Sequence, residues 1–306
     1  MQSRFRSDRG LTARMGLTLF LLGLLYVGFV AALIVLLRSW LLVVVLIGAM
    51  FVAQFWFSDR IALFAMRGRT VERAEYPELH AVVDRLCAIA DMPVPVVAVS
   101  ELDMPNAFAT GRNPDHAVVC VTTGLLRRLD PAELEGVLAH ELSHVAHKDV
   151  AVITVASFLG VIAGLVVRFA FYSQVFGGGR RDQNTAAVFA AVIGVSAAVY
   201  ALSFLLIRAL SRYRELAADR AAAHLTGWPS ALAAALTKVS GEIARIPTKD
   251  LRTAQAFNAF YFTPATGREP GIERFFSTHP TLEQRLAQLG RISAELGETA
   301  TPGKAG

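Results

Sequence analysis

The sequence predicts a mainly α membrane protein, with four transmembrane helices in two hairpins and a cytoplasmic α+β domain that carries a small sheet. Three observations point there. Hydrophobic residues make up 54% of the 306-residue chain against 18% charged, and the mean hydropathy is positive, too apolar for an ordinary soluble domain. The excess is concentrated in four blocks. Between the blocks, short valine-rich segments and amphipathic stretches read as the strands and helices of a folded body.

Met15–Leu37 is an unbroken apolar run between Arg14 and Arg38, and Trp40–Phe57 is a second, followed by Asp59 and Arg60. At about 1.5 Å per residue each can cross the roughly 30 Å of a bilayer's hydrocarbon, the second only just. A cleaved signal peptide would have a shorter apolar core and a small-residue cleavage site, so a retained hairpin is the expectation. Val150–Val167, closed by Arg168, and Ala186–Ile207, closed by Arg208, form the second pair, for which buried helices of a large core are the alternative. Phe169–Thr185, with Gly177, Gly178 and Gly179, reads as a short flexible loop between them.

Arg4, Arg6, Arg9 and Arg14 precede the first run, Arg60, Arg67 and Arg69 follow the second, and Arg208, Arg212 and Arg214 follow the fourth. Basic residues at span ends favour the cytoplasm, so both termini and the folded body are expected there, with Arg180 and Arg181 counting the other way. The organisation is then an N-terminal hairpin over 1–60, a first half-domain over 61–149, a second hairpin over 150–208 and a second half-domain over 209–306. The boundary arginines account for much of the net charge of +5. No interleaving of basic and aromatic residues marks a nucleic-acid surface, so the expected partner is the lipid bilayer, with no nucleic acid and no nucleotide. Cys87 and Cys120 form no metal-type pair and read as reduced, buried thiols.

Within the body, Leu79, Val82, Val83, Leu86 and Ile89 have the spacing of an amphipathic helix over Tyr76–Ala90, which Met92-Pro93 ends. Val94–Val99 and Ala117–Val121 read as strands, and Asn106–Thr110 as a possible third before a turn at Gly111. Asp130 offers an N-cap, Pro131 suits the first helical position and Glu133 completes a capping box, so a helix is expected from there through His147. A second helix is expected over Leu282–Leu289, and the polar tail from Glu298 reads as disordered.

The helix after Asp130 carries His140-Glu141-Leu142-Ser143-His144. Residues four apart share a face, so the two imidazoles can hold one tetrahedral zinc while Glu141 reaches a water on it. A zinc that does chemistry needs a third protein ligand and an open position. His147 lies on nearly the same face, but three turns of one straight helix cannot wrap round one ion; it reads as a neighbour or a polar surface residue. Glu215 is the best candidate, because His144 lies six residues before the third run and Glu215 eight after the fourth. If helix continues through both, each stands on the order of 10 Å above the same membrane face. Asp219, one turn beyond Glu215, can accept from a ligand histidine or form a helix-surface ion pair with an arginine such as Arg214 or Arg220.

These residues, together with Pro105–Arg112, Val121–Leu126, Ser277-Thr278-His279-Pro280 and Arg285, resemble the HtpX-type membrane metalloproteases, bacterial relatives of the CAAX prenyl protease group, over nearly all of residues 1 to 290. The resemblance implies a zincin-like catalytic domain in a bacterial inner membrane. It also implies one zinc per chain on His140, His144 and Glu215, with Glu141 as base, and ATP-independent cleavage of misfolded or damaged membrane proteins. It makes Asn106, Ala107, Phe108 and Ala109 an edge strand for substrate, and gives His279 and Arg285 a share in stabilising the transition state. Plainer readings stand beside these: Asn106–Ala109 as a loop with Phe108 in the core, His279 as part of a helix start, and Arg285 as the partner of a carboxylate. Phe257, Phe260, Tyr261 and Phe262 read as cover for the cleft or as packing residues. A processing peptidase for one lipidated partner would use the same chemistry. A non-catalytic protein with a structural zinc would need a fourth ligand, and no cysteine lies near the motif.

Overall fold

The computed structural model describes residues 9–37, 66–111, 113–149, 183–243 and 279–297, with scattered positions between 41 and 64 and between 152 and 166. Most of the second and third apolar runs, the glycine loop, Arg112, the aromatic segment 257–262 and the tail from Glu298 lie outside the described residues.

Among the described residues, two helices are long and apolar enough to cross a membrane: α1 (Arg9–Leu37), through Ala13–Ile34, and α5 (Gln183–Thr226), through Ala186–Thr226. Leucine, valine and alanine surround α1, so it has no polar face, and Leu17, Phe20, Leu24 and Val27 are each more than half exposed. Among the described residues, one side packs: Leu22, Phe29 and Leu33 are buried among Ala156, Ile162 and Ala163 of the third run and Val192, Val199 and Leu210 of α5. A β-carbon on Gly164 would stand 3.1 Å from the Tyr200 ring, and one on Gly160 3.4 Å from Ser203. Glycines four apart let the third run approach α5 closely, as small residues do between membrane helices.

The other core surrounds a four-stranded mixed sheet, in the order β1 (Gly68–Thr70), β2 (Val96–Ser100), β4 (Ala117–Thr122), β3 (Ala107–Gly111). β2 and β4 run parallel, and β1 and β3 lie antiparallel on either side. Every residue of β4 is buried, as suits a central strand of valines. β3 ends at Gly111, where φ is 131° and a β-carbon would meet the His116 carbonyl at 2.2 Å, so only glycine fits. α2 (Pro77–Ala90) lays Leu79, Val83, Leu86, Cys87 and Ala90 against the core. A short helix α3 (Thr123–Arg128), capped by the Thr122 hydroxyl, leads to α4 (Pro131–Ala146).

α4 begins as its sequence predicts, with Asp130 and Glu133 reciprocally bonded in a capping box. Its Gly136 lies against α6 (Pro229–Ile243), where a β-carbon would come within 3.2 Å of the Leu232 backbone. α7 (Leu282–Leu296), capped by Thr281 and Gln284, inserts Leu289 and Ile292 into the same core. It runs two turns past the expected end because Ile292 continues the apolar stripe. β1, α3 and α6 are elements the sequence reading did not distinguish. The metal-motif helix also differs from the expectation of a helix running on toward the membrane: it stops at Ala146, and Lys148 takes φ 55°, so a new helical turn starts at Asp149.

Cys87 and Cys120 are free and buried in this core, and burial pushes their thiols up to about 11 and about 12.

Candidate metal centre

α4 and α5 pack directly against each other, and their contact brings the predicted residues together. His140, His144 and Glu215 each offer a ligand atom within 4.8 Å of the others. The two Nε2 atoms lie 3.2 Å apart, with Glu215 oxygens 3.7 Å from that of His140 and 3.5 Å from that of His144. Both Nδ1 atoms face carboxylates, that of His140 at 2.9 Å from Asp219 and that of His144 at 2.7 Å from Asp149. An imidazole that donates through Nδ1 presents a lone pair at Nε2. Two such lone pairs and a carboxylate therefore point at one place. A single proton satisfies one of these acceptors, whereas a metal ion satisfies all three, so the residues fit a resident cation of the kind bound by two histidines and a glutamate.

The buried charges are arranged round that point. Glu215 pays for burial with cations and donors, and His279, His140 and His144 hold its carboxyl well below the usual range. Burial pulls the His140 imidazole down, but Asp219 and Glu215 outweigh it and leave it raised. Burial would likewise raise Asp219, yet Arg285 keeps it low through two charge-assisted bonds, Nε at 2.7 Å and Nη2 at 2.6 Å. Burial raises the Glu141 carboxyl against the pull of His140 and His144.

Glu141 sits beside the ligands with Oε2 accepting the Ala109 amide at 2.9 Å. Among the described strands, β3 has β4 as its one neighbour in the sheet. The Asn106 carbonyl accepts from the Thr122 amide and the Asn106 N–H donates to the Thr122 hydroxyl, so by antiparallel alternation Phe108 and Thr110 also bond toward β4, while Ala107, Ala109 and Gly111 turn their main-chain groups outward. Strand and core readings of this segment hold together, since Phe108 is buried in the core. His279 Nδ1 lies 3.1 Å from Glu215 Oε2. Arg285 makes the carboxylate pair noted above and places Nη1 3.7 Å from Glu215. His147 caps α4 and bonds the Ser143 carbonyl at 2.7 Å, away from the ligand cluster.

Two contacts here were not expected from the sequence. Asp149 holds His144, and Arg214 holds Asp149, with Nη2 at 2.8 Å. The available signal was an acidic side chain five residues past a ligand histidine, at a point where the helix ends.

The sequence profile described as peptidase family M48 matches residues 73–293, a span that contains every residue of this centre. The chain is 85% identical over 305 residues to "Protease HtpX homolog 1" of Streptomyces coelicolor, covering 100% of both chains. It is 52% identical over 300 residues to "Protease HtpX homolog" of Moorella thermoacetica, covering 97% of this chain and 99% of that one. The crystal structure of S. mikatae Ste24p shares the fold, with a TM-score of 0.55 at 18% identity, over 87% of this chain and 62% of that one. A metal-fitting cluster of two histidines and a glutamate, a neighbouring glutamate and these relatives agree: the chain belongs to peptidase family M48, as one of its HtpX-type members, and is a metalloprotease.

Proposed function

We propose that the chain is a zinc-dependent endopeptidase of a bacterial cell membrane, acting on misfolded or damaged membrane proteins from the cytoplasmic side. The observation that carries this reading is the convergence of two Nε2 lone pairs and the Glu215 carboxylate beside Glu141. Zinc suits two imidazoles and one carboxylate in a tetrahedral set, and when bound there it supplies Lewis acidity toward a water and the scissile carbonyl. Glu141, oriented by the Ala109 amide, takes the proton of the attacking water and returns it to the leaving amine. The outward main chain of Ala107 and the Ala109 carbonyl receive an extended substrate by strand addition, which selects little for sequence. Asn106 and Phe108 support that strand from its inner side. His279 assists the transition state from the Glu215 side, and Arg285 contributes through Asp219 and Glu215, the carboxylates it touches.

The membrane part of the reading is supported by two helices of spanning length, by the exposed apolar side chains of α1, and by arginines at the ends of all four apolar runs. With four spans, residues 1–60 and 150–208 form the membrane hairpins, and 61–149 and 209–306 the two halves of the catalytic domain. α5, about 66 Å long at 1.5 Å per residue, then passes from bilayer to active site in one piece. The test is cleavage of an unfolded protein by the detergent-purified chain after metal removal and zinc restoration, beside Glu141→Gln. Equal activity in the two would sink the mechanism, and equal zinc retention by Glu215→Ala would exclude the third ligand.

A further inference from the structure

The chain turns sharply between its second metal-facing histidine and the third apolar run. α4 ends at Ala146, and Lys148 adopts a left-handed φ of 55°, which a β-carbon disfavours. The turn returns Asp149 toward the helix just left, where its Oδ2 accepts from His144 Nδ1 at 2.7 Å. The same oxygen accepts from Arg214 Nη2 at 2.8 Å, and Arg214 Nη1 donates to the Asp149 carbonyl. Both side chains are buried, 7% and 5% exposed. Arg214 immediately precedes Glu215 on α5. One guanidinium thus joins the residue that orients His144 to the helix that carries Glu215.

From this geometry we infer that Asp149 and Arg214 are positioning residues, which set the separation and angle between His144 and Glu215 and so the metal affinity of the centre. The inference rests on the metal reading of His140, His144 and Glu215. Packing of α4 on α5 fixes the helix axes but leaves the imidazole of His144 free to rotate about its Cβ–Cγ bond. Asp149 removes that freedom, and Arg214 fixes Asp149 by its side chain and its backbone together. Because Asp149 immediately precedes the third apolar run and Arg214 follows the fourth by seven residues, the pair also ties the centre to the ends of those two runs.

The test uses the full chain in detergent, stripped of metal, with zinc alone and cobalt(II) alone as probes. Competition against a chromophoric chelator reads affinity, the visible cobalt spectrum reads ligand geometry, and circular dichroism reads the fold. Asp149→Asn and Arg214→Met should each weaken zinc binding by about 10–100-fold and alter the cobalt spectrum at unchanged helicity. The double variant should bind no more weakly than the worse single one, since both act through one contact. Unchanged affinity and spectrum in the single variants, or losses that multiply in the double, would overturn the inference. Arg214→Lys keeps the charge with fewer donors and should give a partial loss; it decides the question if Asp149→Asn does not fold, and wild-type affinity in it counts against the pair. Should Glu215→Ala bind zinc as tightly as the natural chain, it is the ligand assignment that fails instead.

Discussion

The two metal-facing histidines are braced by the same chemistry from different parts of the molecule. His140, with a side chain 1% exposed, leans on Asp219 of α5, which Arg285 of α7 holds from behind. His144, 14% exposed, leans on Asp149 just past its own helix, which Arg214 of α5 holds. The inner arm closes over long sequence separations and lies within the sheet-centred core, beside Leu289 and Ile292. In the outer arm only the aspartate is local, five residues past its histidine, while Arg214 arrives from 65 residues away, and the arm lies on the side where the apolar runs begin. Each aspartate fixes an imidazole tautomer, but only the inner arm is also part of the body's packing. The arms should therefore fail differently, the inner by unfolding and the outer by releasing metal.

Glu141→Gln touches neither arm and should have the largest effect on activity, a loss of about 10³-fold with metal content unchanged. Turnover of an unfolded substrate alongside metal analysis measures both, and a variant that also loses metal would show that Glu141 belongs to an arm after all. Asp219→Ala should cost about 3–5 kcal/mol in denaturant unfolding, because Arg285 stays buried without the carboxylate that accepts two of its N–H groups. Asp149→Ala should cost clearly less, since Arg214 keeps the carbonyl of residue 149. Equal losses would erase the distinction.

Thiol labelling sharpens it further. With Cys87 raised to about 11, its thiolate fraction near neutral pH is about a hundredfold below that of an ordinary thiol, and Cys120 at about 12 is lower still. Alkylation of the native chain should be correspondingly slow, quickened by Asp219→Ala and not by Asp149→Ala. The smallest effect is expected from Asp130→Ala, which removes the capping box of α4 and should lower stability by about 1 kcal/mol while zinc affinity stays put. A shift in affinity there would mean that the start of α4, and not only its end, positions the ligands.

Much of this was legible in advance where the physics is local. The capping box of α4, the two-histidine motif and the amphipathic face of α2 each depend on residues within a few positions of one another, and they appear where the sequence predicts. Glu215 and Asp219 were legible because α5 runs unbroken from an apolar block to the site. β1 was not, being three residues long and recognisable only by its pairing with β2. α6 was hidden by its alanines, whose burial depends on Gly136 and Leu232 meeting.

By itself the sequence determined the apolar blocks, the helix that presents His140, Glu141 and His144 on one face, and the family to which that helix belongs, because periodicity and capping act within a few turns. Only the tertiary structure decided what stands behind each imidazole. Asp149 reaches His144 through a left-handed turn at Lys148, and Arg214 and Arg285 arrive from helices that meet α4 in space alone. Hydrogen-bond acceptors are chosen by distance between side chains, and that distance is a property of the packed helices.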